Sequence, residues 1–188
     1  MRINEIFYSL QGEGFFTGTP AVFIRFSGCN LACSFCDTAH GRYYEATQEE
    51  ILTVISGYPS RHVVITGGEP SLQLTADFVD ALHGHGYFVQ VETNGTKRLP
   101  DGVDWITCSP KNGDVVYKEV NELKVVYHGK GQDMTVYDGI KASVYSLQPC
   151  DVKDEGRNAV IVSEAIEYIK AYPKWRLSLQ THKILNVR

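Results

Sequence analysis

Residues 28–38 read Gly-Cys-Asn-Leu-Ala-Cys-Ser-Phe-Cys-Asp-Thr and carry three of the five cysteines, spaced as Cys29-x3-Cys33-x2-Cys36. Three thiols this close together are expected to serve one metal centre. Structural zinc takes four protein ligands, and an ordinary four-iron cluster is held by four cysteines. A triad of cysteines therefore leaves one iron open, and an open iron can bind a substrate or a cofactor.

A zinc site is the alternative interpretation of this triad. His40 is the best candidate for a fourth protein ligand, which would give a zinc knuckle of three cysteines and one histidine. The ring closed by so short a segment is very tight for zinc, and no second pair of ligands follows downstream. We therefore favour the iron-sulfur interpretation, and we expect the separate Cys108 and Cys150 not to be metal ligands.

The segments ahead of the triad combine an apolar strand with polar residues suited to binding. Residues 21–27 are predicted to form a strand that delivers Cys29 at its carboxyl end. Arg25 lies within this apolar run and needs a partner. It either forms a structural ion pair or faces a cavity and binds an anionic group, which we favour. Residues 3–10 alternate apolar and polar side chains, which predicts an edge strand or arm leading into Gln11-Gly12-Glu13-Gly14, where glycines let the backbone approach a ligand.

The segments after the triad repeat one plan of strand, polar loop and helix. A capping box begins the first helix, which Gly57 ends. The plan comprises the capping box Thr47-Gln48-Glu49-Glu50, a strand over 62–66, the loop Gly67-Gly68-Glu69-Pro70, a helix over 72–83, a strand over 87–91 and the loop Glu92-Thr93-Asn94-Gly95. This alternation implies a parallel sheet with right-handed crossovers, whose ligands bind at the carboxyl edge of the strands.

The second half of the chain predicts further strands but few helices. Strands are expected over 103–108, 122–127, 143–148 and 177–180, with one clear helix over 158–172. A full barrel of eight strand-helix units needs about 250 residues, and this chain has 188. We therefore predict a single α/β domain over residues 1–188, an open partial TIM-like barrel of about six parallel strands with few helices. A homodimer would cover the open side of such a barrel.

Composition excludes several classes of function. The formal charge is −4 without a block of lysine or arginine, so no electrostatic footprint for nucleic acid is present. No apolar run reaches the roughly 20 residues of a membrane span, and no signal peptide is visible at the first residues. An odd number of cysteines, mostly clustered, favours a reducing compartment and hence the cytoplasm.

Several short segments beside the triad resemble those of 7-carboxy-7-deazaguanine synthases, a family of radical S-adenosylmethionine (SAM) enzymes. The cysteine spacing alone would indicate only the superfamily, and the resemblance runs from residue 3 to residue 188. Its segments are Gln11-Gly12-Glu13-Gly14, Gly28-Cys29-Asn30-Leu31, Cys36-Asp37-Thr38, Ile65-Thr66-Gly67-Gly68-Glu69-Pro70, Ser109-Pro110-Lys111, Gln148-Pro149 and Gln180-Thr181-His182-Lys183.

The resemblance implies two cofactors and an external electron donor. Cys29, Cys33 and Cys36 would hold a [4Fe-4S] cluster whose open iron binds SAM, with Phe35 as a candidate shield. A flavodoxin- or ferredoxin-like protein would supply the electron. The resemblance and the placement of polar loops after strands predict SAM contacts from Gly68, Ser109, Pro110, Lys111, Gln148, Pro149, Cys150 and Asp151. A turn-forming proline explains the two Pro-containing loops equally well, and Glu92 and Asn94 are weaker candidates for the ribose.

The resemblance also implies a small substrate, 6-carboxy-5,6,7,8-tetrahydropterin, which is converted to 7-carboxy-7-deazaguanine with loss of ammonia. Thr38 would bind Mg²⁺, although one threonine is an insufficient protein ligand by itself, and Asp37 is expected instead to cap its turn. Arg25 would hold the substrate carboxylate, and the carboxylate of Arg188 would lie near the pterin. The other expected pterin contacts are Leu10, Gln11, Gly12, Glu13, Thr66 and His182.

Two other functions compete with this interpretation. Radical SAM activases, which place a glycyl radical on a partner protein, share the cysteine spacing. The polar set of Gln11, Glu13, Arg25 and His182 favours a small heterocycle over a protein loop. A zinc-binding module without enzymatic activity would not explain why each strand ends in a polar, glycine-rich loop.

Overall fold

The fold is a nine-stranded open sheet in a computed structural model that describes residues 1–36, 38, 41–111 and 114–188. Asp37 and His40, the expected turn cap and alternative zinc ligand, lie outside the described residues. The strands are β1 (Arg2–Leu10), β2 (Pro20–Phe26), β3 (Tyr44–Glu45), β4 (His62–Gly67), β5 (Phe88–Thr93), β6 (Trp105–Cys108), β7 (Glu119–Tyr127), β8 (Lys141–Pro149) and β9 (Trp175–Leu177).

The strand order is β3-β1-β2-β4-β5-β6-β7-β8-β9. β1 pairs antiparallel with β2 and β3, and every pair from β2 onward along the sheet is parallel. Within the described part of the chain no pairing joins β3 to β9, so the sheet does not close. The prediction of an open, mostly parallel partial barrel is confirmed. β1 is an edge strand except at Arg2 and Ile3, which β3 covers.

The helices are α1 (Gln48–Ser56), α2 (Ala76–Gly84), α3 (Glu155–Ala171) and the short α4 (Thr181–Leu185). The capping box of α1 is present, because Thr47 Oγ1 accepts from the N–H of Glu50 and Glu50 Oε2 accepts from the N–H of Thr47. No helix in the described ranges is both long and apolar enough to cross a membrane.

Helix boundaries differ from prediction where local capping decides them. α2 begins at Ala76 rather than 72, because Glu69 and Pro70 first set a 3₁₀ turn over Pro70–Leu72 and Thr75 then caps the helix. α3 begins at Glu155 rather than 158, because Asp154 caps it. The predicted strand over 177–180 lies at Trp175–Leu177, and α4 follows it unpredicted.

Two hydrophobic cores cover the outer face of the sheet. The first packs α1 and α2 against β2, β4 and β5, with Ile51, Phe78 and Leu82 fully buried. The second packs α3 against β7, β8 and β9. Both cores lie on one side of the sheet, so the opposite, concave side and the carboxyl ends of the parallel strands are available to a ligand.

Candidate active site

A cavity of about 590 Å³ lies within the concave side of the sheet and gathers the residues predicted from sequence. Pro110 is the exception, since it is buried and does not line the cavity. The predicted residues that line it are Leu10, Gln11, Gly12, Glu13, Arg25, Cys29, Cys33, Cys36, Thr38, Thr66, Gly68, Ser109, Lys111, Gln148, Pro149, Cys150, Asp151, His182 and Arg188.

The three cysteines of the triad reach this cavity from one short loop. Cys29 and Cys33 are half-buried and Cys36 is exposed, and the N–H of Cys36 donates to the carbonyl of Cys33 at 3.1 Å. Burial raises the pKa of Cys33, Lys111 opposes this, and the charges of Cys36 and Cys29 raise it further. Cys29 and Cys36 therefore lie near enough to Cys33 to influence its ionisation.

The remaining two cysteines are buried, and their raised pKa values keep the thiol groups protonated. Cys108 is 0% exposed, and burial raises its pKa to about 12. Cys150 lines the cavity but is 4% exposed, and burial raises its pKa as well. Thiolates are the form that binds metal. Among the described residues, no group of three His, Cys, Asp or Glu side chains is arranged to hold a metal ion. The triad is suited to a cluster because its three ligands are thiols and line the same cavity.

The glycine pair Gly67-Gly68 at the end of β4 positions the cysteine loop. The N–H of Gly68 donates to the carbonyl of Phe26 at 3.0 Å, and the N–H of Glu69 donates to that of Gly28 at 2.9 Å. A Cβ atom on Gly68 would lie 1.9 Å from the Gly28 oxygen. Only glycine permits this approach, which brings the backbone before Cys29 against the end of β4.

Glu69 connects the loop that follows β4 to the end of β5. Its side chain is fully buried and accepts from Thr93 Oγ1 at 2.6 Å, the N–H of Asn94 at 2.7 Å and the N–H of Ser71 at 3.0 Å. Asn94 Nδ2 in turn donates to Asn30 Oδ1 at 3.0 Å. Asn94 thus supports the cysteine loop and also lines the cavity.

We predict that Glu69→Ala lowers the free energy of unfolding by about 3 kcal/mol or more, because it leaves buried donors without an acceptor. Glu69→Gln should cost less, since it keeps one acceptor oxygen. Urea unfolding of the two variants and the wild type measures the difference. An alanine variant as stable as the wild type would contradict this role.

The arm, defined here as residues 11–15, contacts the segment around α4 across the cavity. Thr181 donates to the carbonyl of Gly12 from its N–H and its hydroxyl, both at 2.9 Å. A Cβ atom on Gly12 would lie 2.2 Å from His182 Nδ1. The absent side chain of Gly12 therefore makes room for His182 beside the arm.

Arg25 forms the ion pair that the sequence presented as one alternative, and it also faces the cavity. Its Nε donates to Glu5 Oε1 at 2.9 Å, because the two residues are directly opposite across β1 and β2. Its Nη1 donates to Thr38 Oγ1 at 3.1 Å, and the guanidinium lies over the Phe7 ring. Arg25 is therefore ion-paired and lines the cavity at the same time.

Comparison with known proteins agrees with this geometry. The radical SAM superfamily model matches residues 23–126. The 7-carboxy-7-deazaguanine synthase of Bacteroides thetaiotaomicron is 50% identical over 188 residues, covering 100% of this chain and 98% of that protein. The chain belongs to the 7-carboxy-7-deazaguanine synthase family. The synthase of Nitratidesulfovibrio vulgaris is 39% identical over 212 residues, covering 99% of this chain and 98% of that protein.

A solved structure supports the same family assignment. The crystal structure of QueE from Escherichia coli superposes with a TM-score of 0.80 at 33% identity, covering 95% of this chain and 92% of that one. Membership of the radical SAM superfamily implies a [4Fe-4S] cluster and SAM as cofactors. The triad and the adjoining Gly68 loop are the part of this family member's cavity suited to hold them.

The predicted SAM residues beyond Gly68 divide into two groups. Lys111 Nζ donates to Ser109 Oγ at 2.7 Å and lies 6.0 Å from the Phe35 ring centroid, so this pair sits beside the cysteine loop. Asp151 accepts from Lys183 Nζ at 2.8 Å, and from the N–H of Lys153 and Asn158 Nδ2 at 2.9 Å each. These bonds lower its pKa, the one from Lys183 most, and they make Asp151 an anchor of the loop after β8.

Sequence analysis missed a buried charged group at the floor of this cavity. Lys124 donates to Glu13 Oε2 at 2.7 Å and to Glu92 Oε2 at 2.9 Å. Glu92 Oε1 also accepts from Gln90 and Gln11, so both of its oxygens are hydrogen-bonded within the protein. The signal was available, because Lys124 interrupts an apolar strand just as Arg25 does.

Proposed function

We propose that this chain converts 6-carboxy-5,6,7,8-tetrahydropterin to 7-carboxy-7-deazaguanine with loss of ammonia, as a radical SAM lyase. One observation carries the proposal: one cavity is lined both by the cysteine triad and by a polar set drawn from distant parts of the chain, including Gln11, Glu13, Arg25 and His182. A cavity of about 590 Å³ suits a cofactor and a small heterocycle together. The names of the relatives support the product.

Each side of the cavity contributes a separate part of the reaction. Cys29, Cys33 and Cys36 would hold the cluster, and Gly68 with Ser109 and Gln148 would hold SAM. When bound, cluster and SAM supply one-electron cleavage and hydrogen abstraction from the substrate carbon that bears the carboxylate. Such chemistry needs a positioned substrate and exclusion of water.

The polar residues of the cavity match the groups of the pterin. Burial would raise the pKa of Glu13, but Lys124 and hydrogen bonds from Lys124, Gln180 and Gln148 lower it to about 2. Glu13 is therefore a carboxylate, suited to accept from the N–H edge of the pterin, with Gln11 and His182 nearby. Arg25 is the cation for the substrate carboxylate, which would contact it beside Thr38.

Anaerobic incubation with a reductant, SAM and the carboxytetrahydropterin, followed by mass analysis, tests the proposal. Formation of 7-carboxy-7-deazaguanine is the expected result. A reconstituted enzyme that cleaves SAM yet leaves the pterin intact would refute the proposed substrate.

We also propose that Mg²⁺ accelerates turnover through Thr38, whose hydroxyl oxygen faces the cavity and accepts from Arg25. Thr38→Ala should lose most of the stimulation by Mg²⁺ while still binding SAM, because it removes one oxygen ligand. Thr38→Ser is the matched control, since it keeps the hydroxyl. Rates with and without a chelator measure the effect, and a wild-type rate that chelation leaves unchanged would show this role to be wrong.

A homodimer and a flavodoxin- or ferredoxin-like electron donor complete the proposal. Support for the dimer comes from the open sheet and from apolar rings at the amino ends of its strands, since Phe15 is 47% and Phe88 37% exposed. Sedimentation equilibrium measures the oligomeric state, and a monomer at micromolar concentration would argue against the dimer.

A further inference from the structure

Lys124 is a buried lysine at the floor of the active-site cavity. It is 5% exposed and lies in β7 between Leu123 and Val125, which are fully buried in the second core. Because side chains alternate along a strand, Lys124 points to the opposite side, into the cavity that it lines. Burying an ammonium group is costly unless it is paired and hydrogen-bonded, so its partners indicate what it does.

Those partners form a closed ring of hydrogen bonds with the arm. Lys124 Nζ donates to Glu13 Oε2 at 2.7 Å and to Glu92 Oε2 at 2.9 Å. Gln11 Nε2 donates to Glu92 Oε1 at 3.3 Å, and Gln11 Oε1 accepts from the N–H of Glu13 at 3.3 Å. The ring fixes the carboxylate of Glu13 and also the orientation of the Gln11 amide.

Two other charged side chains near Lys124, those of Glu122 and Lys111, form their hydrogen bonds with other groups. Glu122 accepts from the N–H of Phe15 and from the hydroxyls of Thr107 and Ser146, so it holds the arm against β6 and β8. Lys111, after β6, donates to Ser109. Lys124 is therefore the cation bonded to both Glu13 and Glu92.

The electrostatic effect of this arrangement is to hold the Glu13 carboxyl group ionised. Burial would lower the pKa of Lys124, but Glu13, Glu92 and Glu122 together raise it. Burial raises the pKa of Glu92, Lys124 opposes this, and Glu122 and Glu13 raise it further. Without Lys124, two neighbouring buried carboxyl groups would share a proton rather than both ionise.

We propose that Lys124 is a positioning residue for substrate recognition, which holds Glu13 as a carboxylate and Gln11 in a fixed orientation towards the N–H edge of the pterin. The inference rests on the proposed function. The pyrimidinone edge of a pterin carries N–H donors, which need an acceptor. A protonated Glu13 would present a donor to them instead and would bind the ring more weakly.

The test compares Lys124→Met with Lys124→Arg in the reconstituted enzyme. We expect Lys124→Met to raise the dissociation constant of the carboxytetrahydropterin at least ~10-fold at neutral pH, with SAM affinity unchanged. Lys124→Arg keeps the charge and should lose less pterin affinity than Lys124→Met. In the double variant Lys124→Met/Glu92→Gln, only one carboxyl group remains in the ring, so pterin binding should partly recover.

The pH dependence separates this role from a purely structural one. In Lys124→Met the shared proton dissociates as pH rises, so pterin affinity should increase between about pH 6 and pH 9, relative to a wild type whose Glu13 stays ionised throughout. If Lys124→Met does not fold, the protonation state of Glu13 in the wild type provides the test. A Glu13 carboxyl group that still protonates in that range, seen by infrared difference spectroscopy, would overturn the proposal.

The outcomes distinguish this inference from the proposed function. A wild type that binds no carboxytetrahydropterin refutes the function, and this role of Lys124 with it. A wild type that binds the pterin, beside a Lys124→Met variant of equal affinity, refutes the role of Lys124 alone. Lys124→Met could lose pterin and SAM binding equally, without recovery in the double variant. That result would show that Lys124 has only a structural role, and it would overturn the proposal.

Discussion

Single replacement of Cys29, Cys33 or Cys36 by alanine is expected to abolish assembly of the iron-sulfur cluster, whereas Cys108→Ala is expected to keep it. The three cysteines reach one cavity from one loop, and a cluster with an open iron has no spare protein ligand to lose. Iron and sulfide content after anaerobic reconstitution is the measurement. Each triad variant should fall below about a tenth of the wild-type content, because no other accessible thiol can replace the missing one.

Cys150→Ala is the sharper control for this experiment. Cys150 lines the same cavity as the triad, yet it is 4% exposed and its N–H is held by the carbonyl of Tyr127 at 2.8 Å. We expect Cys150→Ala to assemble a full cluster. A cluster-free Cys108→Ala or Cys150→Ala protein that is still folded by circular dichroism, or an intact cluster in any triad variant, would overturn the ligand assignment.

The sequence predicted those parts of the fold that local periodicity controls. The capping box of α1 and the strand-loop-helix order are written in consecutive residues, and the carboxyl edge of the sheet follows from them. Loops as distant as Gly12 and Thr181, which are 169 residues apart, were expected at one site because of the family resemblance and not because of periodicity. Helix starts were displaced by a few residues, because capping side chains decide them.

Long-range register was not predictable, and β1 shows the reason. The pairing of β1 with β2 shifts between Ile3 and Glu5, which is the effect of a bulge. Ile3 is therefore buried in the first core with the helices, whereas Phe7 packs with Phe23 on the cavity side. Strict alternation would put the two residues on one face.

Lys124 was not predicted as a cavity residue, because its contacts are also long-range. Its partners come from the arm and from β5, and nothing in the strand that carries it identifies either one. The sequence does contain a charged residue within an apolar run, which already implies a buried partner. The same argument applied to Arg25 would have selected Lys124 as a cavity residue, though not the ring that it closes.

Gly68→Ala is expected to break the contact that sets the cysteine loop against β4. Its Cβ atom would lie 1.9 Å from the oxygen and 2.4 Å from the carbonyl carbon of Gly28. Both are backbone atoms, so no side chain can rotate away to relieve the overlap. We expect a loss of about 3 kcal/mol or more in the free energy of unfolding, together with reduced iron content and weaker SAM binding. Urea unfolding, iron analysis and a SAM titration measure these three effects.

Gly139→Ala is the matched control, because a Cβ atom there would have no neighbour within 4 Å. Neither glycine has the positive φ that would strain an alanine by itself, so the two variants differ in what the new methyl group meets. Gly139→Ala should change the free energy of unfolding by no more than about 0.5 kcal/mol and leave iron content and SAM affinity at wild-type values. If Gly68→Ala behaved like this control in all three measurements, the loop before Cys29 would be free to move by the distance required. The close approach of Gly28 to Gly68 would then not be what positions the triad.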